Sequence, residues 1–286
     1  MLVVTSAQRS IMHHRVTFVP KQIRSRIKDY KTNRNIHVHK SSIPKPNPRF
    51  VDARHAPNDF SPESAIVFDN VVSENDGEAL LREISSRMKR RRYERSHWDS
   101  VITGYKEIEL PHPHDMQIAT DHKNNKFNIS EDKMYASDVS EECIKTILLI
   151  RRILESYFFS DELSSLRWLP CHAIDLKKDG VLSAHVDSVK FSGDIVAGLS
   201  LASSSIMRLK PDKDSYQSDS QDSFFDSHVD LYLPPLSLYV LSGVGRYKYT
   251  HELLPSGASF SSKESPDPVE VVRDQRYSII FRDAKK

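Results

Sequence analysis

Among the thirteen histidines of this 286-residue chain, two combine with an aspartate in a pattern that could hold a metal: His185-Val186-Asp187, and His251 sixty-six residues on. On an extended strand alternate side chains share a face, so His185 and Asp187 would point the same way, roughly 6 to 7 Å apart along the backbone. His251 supplies a third ligand from another strand-like run, Arg246-Tyr-Lys-Tyr-Thr-His-Glu-Leu-Leu254. Two neutral imidazoles and one carboxylate on one side of an ion leave its other side open, the donor set suited to Fe(II) and oxygen chemistry. A His-x-Asp tripeptide alone is weak, because chance supplies about one among so many histidines. A second copy, His228-Val229-Asp230, follows a Ser/Asp-rich stretch and lies only 23 residues before His251, room for little more than a hairpin. The first copy is better placed. Val181 to Val189 precedes the buried-strand run Ile195-Val-Ala-Gly-Leu-Ser-Leu201, as the wall of a β-barrel requires.

In Arg276-Tyr-Ser-Ile-Ile-Phe-Arg282 the even spacing of six puts both guanidinium groups on the face of Ser278, with Tyr277, Ile279 and Phe281 on the other. A buried guanidinium needs a carboxylate, and its two parallel donors suit the distal carboxylate of 2-oxoglutarate. The competing reading pairs two solvated arginines with Asp274 and Asp283.

His-x-Asp, His and Arg-x5-Arg in this order resemble the AlkB family of Fe(II)/2-oxoglutarate dioxygenases. The likeness is to a mitochondrial branch of it, carried by His185-Val-Asp-Ser-Val-Lys-Phe191, Ala197-Gly-Leu-Ser-Leu201, Ser237-Leu-Tyr-Val-Leu-Ser-Gly243 and Arg91-Arg-Tyr-Glu-Arg-Ser-His-Trp-Asp99. It covers roughly residues 66–110 and 136–283. The resemblance implies a mostly β fold with flanking helices, its core a double-stranded β-helix or jelly roll. It implies that His185, Asp187 and His251 are the metal ligands and catalytic centre, and that Tyr239, Arg276, Ser278 and Arg282 bind 2-oxoglutarate. The activity implied is oxidative decarboxylation of 2-oxoglutarate by O2, coupled to hydroxylation of a C–H bond.

Family members that repair nucleobases carry Asn-x-Tyr eleven residues before the first ligand, where this chain has Ile174-Asp175-Leu176. Apolar side chains donate no hydrogen bond, which leaves that role to Tyr239. Paired aromatic hairpins of the kind that grip a flipped base are not evident either; Tyr93, Trp98 and Tyr105 could stack on a base or pack in a core. The favoured substrate is therefore a protein side chain, in a regulatory role that the branch links to energy metabolism and regulated necrosis. N-demethylation of mitochondrial RNA is the alternative, and a module that holds iron and 2-oxoglutarate without turnover is another.

The elements that must position these groups leave their own signals. Ala65-Ile-Val-Phe68 reads as a strand, and Ser73-x-x-Asp76 opens a helix that runs to about Lys89. A second helix starts near Asp138, with Ile147, Ile150, Leu154 and Phe158 on one apolar face to buttress the barrel from outside. Pro111 to Tyr135 and Pro211 to Ser227 are polar enough to be surface loops.

The net charge of +2 hides a division. Residues 1–50 hold eleven Lys/Arg and one acid, a net of +10, which leaves −8 for the rest. Basic, acid-poor and amphipathic from Pro20 onward, with Ile23, Ile27 and Tyr30 at helical spacing, this segment reads as a mitochondrial transit peptide addressed to the matrix. A disordered basic arm that binds RNA is the competing reading. The expected organisation is a targeting segment over 1–50, a proline-marked linker over 51–64, a helical support region over 65–165 and the β-helix core over 166–286. Two cysteines, Cys143 and Cys171, make no disulfide framework, and no stretch is apolar enough for a membrane span.

Overall fold

A computed structural model describes residues 43–95, 101–110, 139–159, 166–216, 224 and 226–285. Most of the basic segment, the stretch 111–135 with its His112-Pro-His114, most of 217–225, and Trp98 lie outside the described residues. The described chain is built on two antiparallel sheets. The larger runs in the order β2 (Ala65–Phe68), β8 (Leu238–Leu241), β5 (Ser192–Leu201), β12 (Arg276–Ala284), β4 (Cys171–Leu182), β3 (Ile102–Leu110). The smaller runs β1 (Val51–Asp52), β7 (Val229–Leu233), β6 (Ser205–Pro211), β9 (Tyr249–Leu253), and a hairpin of β10 (Ala258–Ser262) with β11 (Ser265–Val271) stands beside it.

Alternation divides the larger sheet into two buried faces. Ile279 and Phe281 of β12, Ala197 and Leu199 of β5, and Val240 of β8 pack with α1 (Glu74–Met88) and α2 (Glu141–Phe158). Leu80, Ile84 and Met88 from α1 and Ile147, Ile150 and Leu154 from α2 fill that layer. Side chains of this size, fully buried, contribute roughly 1.5–3 kcal/mol each. The first helix begins at the expected cap, Ser73, which accepts from the Asp76 amide; the second begins slightly later than expected, capped by Ser140, which accepts from the Cys143 amide. Helices thus cover the back of the sheet, as expected from their apolar faces.

The opposite face carries Val67, Leu176, Tyr239 and Leu241, and packs against Met207, Leu209, Leu231 and Leu233 of the smaller sheet. Two antiparallel sheets closed face to face over such a core form the jelly roll that the family resemblance implies. β12, central in its sheet, is buried on both sides, which is why its burial pattern does not alternate although its side chains do.

Two differences from the sequence reading concern segment boundaries. Residues 51–64 were expected as a linker, yet Val51 and Asp52 pair with Leu231 and Asp230, and Phe60 is buried against Tyr249. Prolines fit there because β1 is a two-residue edge strand and Pro62 opens a short 3-10 turn. His185 and Asp187 were expected on an extended strand, whereas β4 ends at Leu182. The chain there leaves the larger sheet, and His185 touches the smaller one through a single bridge to His251.

Candidate metal centre

That bridge brings the first and third candidate ligands together. His185 and His251 exchange backbone hydrogen bonds of 3.2 and 2.8 Å, and their rings stand 4.2 Å apart. Asp187, two residues on, brings its carboxylate to 3.7 Å from Nε2 of His185. Donor atoms of all three lie within 4.8 Å of one another, close enough for one ion to draw them together. The expected pair in fact sits on an irregular crossing segment, but the i, i+2 spacing still points both side chains one way.

Each donor is prepared for a cation. Nδ1 of His185 lies 2.8 Å from the carbonyl of Ser183, which can only accept, so that nitrogen carries the proton and Nε2 keeps its lone pair. Burial pushes His251 down to about 3, so it is neutral at any ordinary pH. Burial alone would raise the Asp187 carboxyl, but Arg282 and the two histidines outweigh it and hold the group well below the usual carboxylate range. Arg282 does so through a fork, Nε to Oδ2 at 3.1 Å and Nη2 to Oδ1 at 3.2 Å.

From Arg282 the inward face of β12 leads past Ser278 to Arg276. Arg276 is buried, donates to the Ser200 hydroxyl at 3.0 Å, and leaves its Nε without a partner. Its partner there is a hydroxyl and not Asp274 or Asp283. Asp283 instead accepts from the amides of Asp194 and Ile195. Burial pushes Arg276 down to about 10, the mark of a guanidinium whose surroundings lack a compensating anion. Beside it Tyr239 is buried and pushed up to about 12, so its phenol keeps a proton to donate. Tyr239 feels the charges of Arg276, Asp187 and Arg282 alike. An orphaned buried cation, a buried hydroxyl donor and an open metal-type donor set fit a small dicarboxylate held at one end by Arg276 and at the other by the ion.

Two parts of this pocket escaped the sequence reading. A Cβ on Gly198 would lie 2.3 Å from a ring carbon of Tyr239, so only glycine lets the phenol lie across β5. Ser200 shares that face, two residues on, opposite Ser278. The available signal was a glycine and a serine at i, i+2 inside the otherwise apolar run Ile195–Leu201. The second His-x-Asp copy is elsewhere: Asp230 takes the fork of Arg208 at 2.8 and 2.7 Å, and His228 stacks on His55. Tyr105 is core, and Ile174 and Leu176 line the inner face without a donor while Asp175 accepts from Tyr93.

No family model matches the chain. A protein of Mus musculus named alpha-ketoglutarate-dependent dioxygenase alkB homolog 7, mitochondrial, is 32% identical over 77% of this chain and 78% of its own length. The Bos taurus protein of the same name is 31% identical over the same shares. Among solved structures, a prolyl-4-hydroxylase of Pseudomonas putida is 12% identical, with a TM-score of 0.47 over 78% of this chain and 93% of its own. Sheet order and facing cores, independent of that last likeness, define the fold here. The sequence identity, extended over more than two thirds of each relative, shows that this chain belongs to the AlkB-homologue family of alpha-ketoglutarate-dependent dioxygenases.

Proposed function

We propose that this chain is a mitochondrial dioxygenase that binds Fe(II) through His185, Asp187 and His251, binds 2-oxoglutarate through Tyr239, Arg276, Ser278 and Arg282, and hydroxylates a protein side chain in the matrix. The observation that carries the reading is the pairing of a two-histidine, one-carboxylate cluster with a buried arginine that lacks an anion on the same inner face. With both groups bound, such a centre would use O2 to decarboxylate 2-oxoglutarate to succinate and CO2, one oxygen atom entering succinate and the other a C–H bond of the substrate. The protein's part is to orient and exclude. Arg276 and Tyr239 fix the far carboxylate, Arg282 holds Asp187 in its binding direction, and Val67, Leu176 and Leu241 surround Tyr239 in one buried apolar cluster.

The choice of a protein over RNA rests on charge. Residues 51–286 carry a net charge of −8. Glu107 sits on the inward side of β3, opposite Ile174 and hydrogen-bonded to His172, close enough for its charge to reach Arg282. A carboxylate on the inward face opposes a phosphate backbone. The names of both relatives give mitochondria as their location, and the basic segment 1–50 supplies the physical character of a matrix address.

Mitochondrial matrix protein and RNA, incubated separately with wild-type and His185→Ala protein, distinguish the substrates by mass spectrometry. The expected result is a gain of one oxygen on a peptide, dependent on His185. Loss of methyl groups from RNA with unchanged peptides would transfer the function to the nucleic-acid reading.

A further inference from the structure

The segment that carries Asp187 has little ladder of its own: β4 ends at Leu182, and among the described residues the pairing goes on through the Ser183 amide to the Val101 carbonyl and the bridge at His185. Its main chain is held from across the site by Arg246. This residue lies in α3 (Gly243–Tyr247), a short helical turn between β8 and β9, and is 2% exposed. Nη1 donates to the carbonyl of Asp187 at 3.0 Å, and Nη2 donates to the carbonyl of Ser188 at 3.2 Å and to the Ser192 hydroxyl at 2.6 Å.

Those partners are two carbonyls and a hydroxyl, with no carboxylate among them, and Nε is left without a partner. Burying a cation in this way costs free energy that three neutral acceptors only partly offset. A methionine of similar length would avoid burying the charge but would leave two carbonyls and a hydroxyl without their donor, so what the guanidinium contributes is the hold on these three groups. Its placement supplies the reason. Arg246 is five residues before His251 on the same continuous stretch, and the stretch is itself tied down where the Ser242 amide meets the carbonyl of Ser64. Arg246 therefore spans the gap between the segment bearing His251 and the segment bearing Asp187.

We infer that Arg246 is a positioning residue for the metal centre: it fixes the main chain at Asp187 relative to His251, while Arg282 fixes the Asp187 side chain. The inference rests on the metal reading proposed above and adds a group that touches neither ion nor co-substrate. Outer contacts that orient ligands typically change metal affinity by 10–100-fold. A guanidinium reaches three acceptors at once, whereas an ammonium on a flexible stem satisfies fewer of them in one geometry.

The test uses the full chain, anaerobically, with Mn(II) as probe, on wild type, Arg246→Lys and Arg246→Met. Mn(II) affinity is read by titration, and the thermal midpoint is read with and without saturating Mn(II). Arg246→Met is expected to lose about 10–100-fold in Mn(II) affinity in the folded protein, with Arg246→Lys intermediate, in addition to any fall in the metal-free midpoint from the three acceptors left without a donor. A purely structural role lowers the metal-free midpoint and leaves the affinity of the folded protein unchanged, and that result overturns the inference. Should Arg246→Met fail to fold, the affinity of Arg246→Lys decides: a loss of several-fold or more supports positioning and wild-type affinity refutes it. Wild-type protein that binds no Mn(II) would overturn the metal centre as well, whereas tight wild-type binding unchanged in the variants overturns the role of Arg246 alone.

Discussion

Asp187→Ala is expected to weaken Fe(II) binding by more than about 100-fold, beyond what loss of an outer contact costs. The substitution acts twice. It removes the one anionic donor of the cluster, and it leaves the Arg282 guanidinium, now without its fork, as a positive charge beside the ion's place. His185→Ala and His251→Ala each remove a neutral donor and should also lose the metal, since two protein ligands rarely hold a labile divalent ion. His228→Ala should bind as wild type does, because its neighbour Asp230 is already committed to Arg208 and its ring to His55. Anaerobic Fe(II) titration of the four variants is the check. Retained binding in Asp187→Ala with loss in His228→Ala would reverse the assignment between the two copies.

Arg276→Lys is expected to weaken 2-oxoglutarate by roughly 1.5–3 kcal/mol, the worth of one charge-assisted hydrogen bond. That corresponds to about 10–150-fold in affinity. Lysine keeps the charge but not the two parallel donors. Arg276→Met should bind still more weakly, yet the ligand-free protein should not lose stability, because the wild-type cation is buried with an unpaired Nε and no facing carboxylate. A loss of binding without a loss of stability separates an anchor from a structural arginine. Gly198→Ala acts on the same carboxylate indirectly, since its methyl group would meet the Tyr239 ring at 2.3 Å and force the phenol aside. Tyr239→Phe removes one neutral donor and should cost less than either arginine change. Calorimetry on anaerobic Mn(II)-loaded protein measures each effect without turnover. Unchanged 2-oxoglutarate affinity in Arg276→Lys and Arg276→Met alike would remove the anchor assignment.

What could be read from sequence followed the rules of period and cap. Period two along 276–282 placed Arg276 and Arg282 on the face of Ser278 and left Tyr277, Ile279 and Phe281 to the helices. Ser73 and the apolar stripe of residues 147–154 located α1 and α2 to within a few residues. What could not be read depended on long-range pairing. β6 and β7 of the smaller sheet were not recognised as such, and their register is set by partners such as Leu253 and Leu231, far away in sequence. The break after Leu182 was invisible because Val186 between two polar residues imitates a strand, although the ladder has already ended. Arg246 was read as strand because the sequence around it is β-like, whereas Gly243, at φ +49°, turns the chain into α3 and aims the guanidinium at the Asp187 segment.

Succinate release tests the central claim most directly, because binding alone does not distinguish an enzyme from a module that holds iron and 2-oxoglutarate. Protein supplied with Fe(II), 2-oxoglutarate and O2, without a substrate, should form succinate slowly but above buffer in wild type and His228→Ala, and not in Asp187→Ala. Succinate formation equal to buffer in wild-type protein shown to bind both groups, or undiminished formation in Asp187→Ala, would contradict the account.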